Sequence, residues 1–321
     1  MNARIAVATA LAASFCGVLP AAAADPQMLA LVMPDVKVLA GINVDQAKTT
    51  PFGQYVLSQI APQDPQIQNL AALIGFDPRR DIHELLVASN GAAGHSGLAL
   101  ARGVFDPSKI AAAALLAGAK SETYDGLTIL ENQDQTAGIA FLDPSLAVMG
   151  GVAGVKAAMD RQKTPTALPA SLAAQVSQWS LTQDAWAVAI VPPSTLKAPA
   201  GASQVPGLTQ IAGSLVIQQA AGGVKFGPTV TVAIQAQTDT AQNAANLVGA
   251  LQLLSNLAQA QASQDAQAAS LWKSLVLTAQ GNTVNLTLSV PEAQIEQLAK
   301  SRAAAATPAT PNRVPVPRKK I

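Results

Sequence analysis

Several stretches of this chain could do chemistry, and each departs from the pattern that its chemistry needs. Gly94-His95-Ser96-Gly97 sets a hydroxyl beside an imidazole. A serine nucleophile on a strand-to-helix elbow needs glycine two residues before it and two after. Gly94 meets the first requirement and Leu98 fails the second. Neighbours on an extended loop point apart, so the base for Ser96 would be His95 in a bent loop or the other histidine, His83. A serine-type hydrolase using Ser96 with His95 or His83 is therefore the alternative reading. Decoration of a hairpin loop is the favoured one.

The densest charge lies in Phe76-Asp77-Pro78-Arg79-Arg80-Asp81-Ile82-His83-Glu84. Asp81 and His83, with His95, could begin a metal site. Arg79 and Arg80 would repel the cation, and two histidines in the whole chain make a thin ligand set. The expectation is a solvated turn with Asp–Arg pairs across it, no metal, no cofactor and no catalytic residue. If the body takes a small charged ligand, Arg79, Arg80 and His83 are the residues to meet it, because a guanidinium fork suits carboxylates and phosphates.

A third stretch, AVMGGVAGVKAAMD (147–160), resembles a phosphate loop. A Walker loop needs Lys-Ser or Lys-Thr directly after its second glycine. Here Val155 separates Gly154 from Lys156, and Ala157 follows. The expectation is that Gly150 and Gly151 end a strand and let the chain turn into a helix. Val152, Val155 and Met159 then face inward, and Lys156, Asp160 and Arg161 outward.

The chain around these stretches reads as exported. Arg4 precedes a mostly apolar run, Ile5 to Leu19, and Ala22-Ala23-Ala24 precede Asp25 as small residues before a cleavage point. The run is too short for a good membrane span. Phe15 before Cys16 argues against lipidation. With cleavage after Ala24 the mature chain carries no cysteine, which removes thiol nucleophiles, iron–sulfur clusters and cysteine zinc sites.

Residues 25–300 hold 14 basic against 19 acidic groups, a balance that argues against nucleic acid. Aromatic residues are 3% of the chain, leaving few platforms for stacking on bases. Residues 301–321 form a basic, Pro/Ala-rich tail expected to be disordered, whose Arg313, Arg318, Lys319 and Lys320 could touch anionic envelope polymers.

Elements must position whatever these residues do. Val230, Val232, Ile234 and Ala236 alternate with Thr and Gln, as Val284, Leu286, Leu288 and Val290 do with Asn285, Thr287 and Ser289. That period of two marks antiparallel strands with one buried face. The polar faces (Thr229, Thr231, Gln235, Asn285, Thr287) either pack two halves together or line a shallow cleft. Tyr124-Asp125-Gly126, Asp143-Pro144, Gly222-Gly223 and Gly281-Asn282 read as turns. Helices are expected over 107–119, 152–162, 240–260 and 291–301, with a helical stretch over 45–74 that Pro51 interrupts. Trp179, Trp186 and Trp272 read as core or seam packing.

The element order nearly repeats, which gives an α+β fold of two similar halves, each a mainly antiparallel sheet with helices on one face. The halves span 25–165 and 170–300, with the seam at Pro165–Pro169.

Three segments carry a resemblance: Met33-Pro34-Asp35-Val36-Lys37-Val38-Leu39-Ala40-Gly41-Ile42-Asn43-Val44, Gly75-Phe76-Asp77-Pro78-Arg79-Arg80-Asp81, and Gly103-Val104-Phe105-Asp106-Pro107. They resemble a loose group of exported bacterial proteins without an assigned activity. The resemblance implies an envelope protein and carries over no catalytic residue. The expectation is a non-enzymatic binding or structural protein of the periplasm or cell surface, with no transmembrane span in the mature chain.

Overall fold

The computed structural model describes residues 24–60, 72, 74–92, 97–190, 216–261, 274–295 and 297. Among them, twelve strands form one sheet in which every pairing is antiparallel. The first half supplies β1 (Val38–Asn43), β2 (Ile82–Ser89), β3 (Gly97–Gly103), β4 (Lys120–Tyr124), β5 (Leu127–Glu131), β6 (Ala137–Asp143) and β7 (Leu146–Gly151). The second supplies β8 (Ala185–Ile190), β9 (Ile217–Lys225), β10 (Thr229–Thr238), β11 (Leu275–Gln280) and β12 (Thr283–Pro291).

The order across the sheet is β11-β12-β10-β9-β8-β1-β2-β3-β7-β6-β5-β4. Read outward from the middle, the halves run 8-9-10-12-11 and 1-2-3-7-6, so the same winding occurs twice. The first half adds the hairpin β4–β5 at its edge. β1 and β8 pair antiparallel at the centre, Gly41 opposite Trp186, which relates the halves by an approximate twofold axis through the sheet. The halves therefore join edge to edge. The polar faces named above do not join them: Thr231 meets Ser289 at 3.4 Å, and Gln235 donates to Asn285 at 3.1 Å, across neighbouring strands of the second half.

The sheet is framed by helices α1 (Pro26–Ala30), α2 (Val44–Ala47), α3 (Pro51–Ile60), α4 (Pro78–Asp81), α5 (Pro107–Leu116), α6 (Val152–Lys163), α7 (Ala170–Thr182) and α8 (Ala241–Gln261), and residues 292–295 turn into helix after β12. Helices α1, α6 and α7 bury Met28, Met159, Leu172 and Trp179 against Leu39, Leu86, Leu100, Val148 and Val188 of the sheet. On the other face, α2 and α3 bury Val44, Ala47 and Leu57 with Phe226, against Ile42, Leu85 and Val224. Helix α3 also reaches the second half. Its Phe52 N–H donates to Glu292 Oε1 at 2.8 Å, and the Phe52 ring meets Phe226 edge-on at 6.0 Å.

One expectation about glycine is corrected and another is met. Gly222-Gly223 is no turn: both lie inside β9, and the chain reverses at Phe226–Pro228 instead. A Cβ at Gly223 would lie 2.5 Å from Gln183 Cγ and 2.8 Å from the Ala185 carbonyl, so the residue answers a close approach. Gly150 and Gly151 do end β7, and Gly151 leads directly into α6. Gly150 pairs with Leu98, and a Cβ there would lie 2.6 Å from the Gly97 carbonyl. The turn Tyr124–Gly126 holds, with Asp125 and Gly126 both at positive φ, 53° and 79°.

Candidate functional site

In the charged segment, α4 is capped by Asp77, whose carboxylate accepts the Arg79 N–H at 2.9 Å. Arg80 folds back on its own turn. Its Nε meets Asp81 Oδ1 at 2.6 Å, and its Nη2 meets Asp81 Oδ2 at 2.8 Å and the Gly75 carbonyl at 2.7 Å. That pairing holds the Asp81 carboxyl below the usual aspartate range. Arg79 lines a recess with Lys48, Gln54, Tyr55 and Ser58, whereas Arg80 lines a separate depression with Asp106 and Lys109. The two guanidinium groups thus serve different surfaces.

His83 is placed with neither arginine but with Asp45 and Lys48. Its Nδ1 lies 2.8 Å from Asp45 Oδ2, and Lys48 Nζ lies 2.9 Å from Asp45 Oδ1. Lys48 also donates to the Ile82 carbonyl at 2.8 Å. Burial works to raise the Asp45 carboxyl, but the hydrogen bonds from Lys48 and His83 outweigh it and hold the group low. The cluster ties α2 to β2, and the segment's polar groups are largely engaged with each other. His95, Ser96, Trp272 and the basic tail lie outside the described residues. Among the described residues no three His, Cys, Asp or Glu side chains gather as metal ligands would.

The glycine-rich stretch is equally engaged. Lys156 pairs with Glu122 at 2.7 Å, Asp160 accepts the Tyr124 hydroxyl at 3.0 Å, and Arg161 donates to the Leu31 carbonyl at 2.9 Å. Gly151 caps α6 with no side-chain bond, while Val155, Ala158 and Met159 are buried beneath it.

The feature that sequence reasoning missed is on the sheet face opposite α1, α6 and α7. One register row crosses seven strands there: Ile234, Gly222, Ala187, Ala40, Val87, Ala99, Met149. At the usual strand spacing it is about 29 Å long. Small side chains fill most of its middle. Met149 and Ile234 stand at its ends, 52% and 44% exposed, and Val87 is 50% exposed. The row floors a trough of about 640 Å³, flanked by Val56 of α3 and centred on the β1·β8 junction. Among the described residues no charged one lines it, and the one polar side-chain atom type among those lining residues is the Trp186 indole nitrogen. Exposed apolar surfaces of this extent commonly mark ligand or partner sites.

Its signal was present in the sequence. Val38-Leu39-Ala40-Gly41-Ile42, Leu85-Leu86-Val87-Ala88 and Ala185-Trp186-Ala187-Val188-Ala189-Ile190 are continuous apolar runs, which give a strand two apolar faces.

No protein-family model matches the chain, and no curated protein matches it. Three crystal structures of TP0453 are similar in fold. Crystal form III aligns with TM-score 0.53 at 9% identity, covering 85% of this chain and 97% of that one. Form I gives 0.50 at 11%, covering 85% and 96%, and form IV gives 0.50 at 12%, covering 88% and 98%. At these identities the likeness concerns the fold alone. Among the described residues no helix is long and apolar enough to cross a membrane.

Proposed function

We propose that this is a non-enzymatic, exported binding protein of the periplasm or cell surface, and that its ligand is an apolar, chain-like molecule such as an acyl chain lying in the trough. The leader-like first 24 residues support export. The single observation that carries the binding reading is the uncharged trough of about 640 Å³ on an open sheet face. That volume falls within the range of small-molecule sites.

The ligand class follows from the lining. A polar group set into the trough would lose water and find almost no partner, a penalty of about 1–3 kcal/mol for each group. An alkyl chain loses nothing and gains roughly 25 cal/mol for each Å² it hides. The elongated floor suits a chain better than a compact ring system. A polar headgroup would lie at one end of the row, outside the trough.

The test is organic extraction of the protein purified from its own envelope, followed by mass spectrometry and titration with a fluorescent acyl probe. The expected result is a co-purifying acyl compound that the probe displaces. Intact lipid in the extract would identify a membrane source, and free fatty acid a soluble one. An extract without apolar compounds, together with a probe that does not saturate, would overturn the reading.

A further inference from the structure

Asp25 is held from every side. Its backbone N–H donates to Glu84 Oε1 at 3.2 Å, and its carbonyl accepts the Leu29 N–H at 3.0 Å. Its Oδ1 caps α1 by accepting the Gln27 N–H at 2.7 Å, and its Oδ2 accepts Arg102 Nε at 2.7 Å. Arg102 spends its other donors on Ser145 Oγ at 3.0 Å and Gln27 Oε1 at 2.7 Å. Ser145 in turn donates to Asp143 Oδ1 at 2.6 Å. Among the described residues, the hydrogen bond that Glu84 accepts is the one from Asp25 N–H, a neutral donor to a partly buried carboxylate.

The charges around Glu84 do not balance. Among the described residues, Asp25 from the start of α1, Glu84 itself from β2 and Asp143 from β6 face one cation, Arg102 from β3. A further positive charge at the Asp25 nitrogen would relieve that excess, and the three small residues Ala22, Ala23 and Ala24 precede that atom.

We propose that the chain is cut between Ala24 and Asp25 by a leader peptidase and that the α-ammonium so released is received by Glu84, in a socket already fixed by Arg102. The inference rests on the export reading. Cleavage adds water across the peptide bond: the Ala24 carbonyl carbon takes the oxygen and leaves as a carboxylate, and the Asp25 nitrogen takes the protons. A neutral amide donor becomes a charged one, and hydrogen bonds to ionised groups are roughly twice as strong. An ordinary α-amine, with a pKa of about 7.7–8.0, carries that charge at neutral pH. The partly buried Glu84, whose carboxyl desolvation pushes up in the uncut chain, gains a partner on processing.

The experiment begins with N-terminal sequencing and intact mass of protein recovered from the envelope of cells expressing the full chain. A chain that starts at Asp25 is expected. Recovery of unprocessed chain alone would overturn the export reading. A processed chain starting elsewhere would overturn this inference and leave export standing. The processed protein is then compared with Glu84→Gln, each before and after selective acetylation of its α-amine. Glu84→Gln is expected to lower Tm by roughly 2–4 °C with the amine free, and to be neutral or stabilising once it is acetylated. The same effect in both forms would overturn the socket. Should the variant fail to fold, the α-amine of the parent protein is titrated by ¹⁵N NMR. A pKa raised above about 8 supports the pairing, and an ordinary value overturns it.

Discussion

Gly41 stands directly opposite Trp186 across the β1·β8 junction, and the indole fills the space that a side chain at position 41 would need. A Cβ there would lie 2.7 Å from both Cε2 and Cζ2 of the ring. Trp186 is 6% exposed and joins the main core, so it has little room to retreat.

Gly41→Val should therefore strain the junction between the halves. The expected cost is about 1–3 kcal/mol, the usual range for an overpacked core. It is measured as the shift of the urea midpoint, with a change in Trp186 emission. An unchanged midpoint would show that the junction is looser than the geometry states.

Asp184 is 3% exposed and serves two donors, Lys225 Nζ at 2.6 Å and the Phe226 N–H at 2.7 Å. The same residue's carbonyl accepts the Asn43 N–H at 2.7 Å across the junction. Asp184→Ala leaves the buried Phe226 N–H without its acceptor, at an expected cost of about 1–3 kcal/mol. Urea denaturation reads this, and hydrogen exchange at the Phe226 amide should quicken with it.

Glu292 extends from the end of β12 to the first turn of α3, where it accepts the Phe52 N–H. A carboxylate at that place both caps the helix and meets the positive end of its dipole. Glu292→Ala should cost about 0.5–2 kcal/mol, and Glu292→Gln less, because the acceptor oxygen remains. Equal losses for the two variants in urea would show that charge, not the hydrogen bond, carries the contact.

In the uncut chain, stability should fall with rising pH through Glu84. Burial is the largest cause acting on this carboxyl; the Asp25 N–H and Arg102 oppose it, the Asp25 charge adds to it, and the net shift is upward. The folded chain then keeps a proton that the unfolded chain gives up above about pH 4.3. The contribution of Glu84 is full below that value and is lost as pH rises through the higher folded value. Glu84→Gln should gain on the parent as pH rises above about 4.3. A parallel pH dependence of the two proteins in urea titrations would contradict this.

The duplication was legible because glycine, proline and alternating strands mark the same order twice. What escaped has physical causes. Lys120-Ser121-Glu122-Thr123 carries no apolar alternation, yet it forms the edge strand β4, where charge is tolerated and guards an open edge. Helix α7 escaped although Leu172, Val176 and Trp179 recur at four and three and are all buried, because alanine and serine between them dilute the stripe. Gly222 and Gly223 read as a turn because sequence does not reveal how closely a neighbouring chain will pass. Arg79, Arg80 and His83 were grouped by proximity in sequence. A four-residue helix and the start of a strand then turned Arg79 and Arg80 to separate recesses and set His83 with Asp45. The trough was hidden because it needs the register of seven strands at once.

The central claim is that the open face at the β1·β8 junction holds an apolar chain, and Ala187 tests it most directly. It is exposed and sits in the middle of the row, between Gly222 and Ala40. Ala187→Phe should block the trough while shifting stability by no more than about 0.5 kcal/mol, as exposed substitutions do. Titrated with a fluorescent acyl probe, the parent protein should bind saturably, and the variant at least tenfold more weakly, a difference of about 1.4 kcal/mol. Equal binding by the two proteins, at equal stability, would contradict the account.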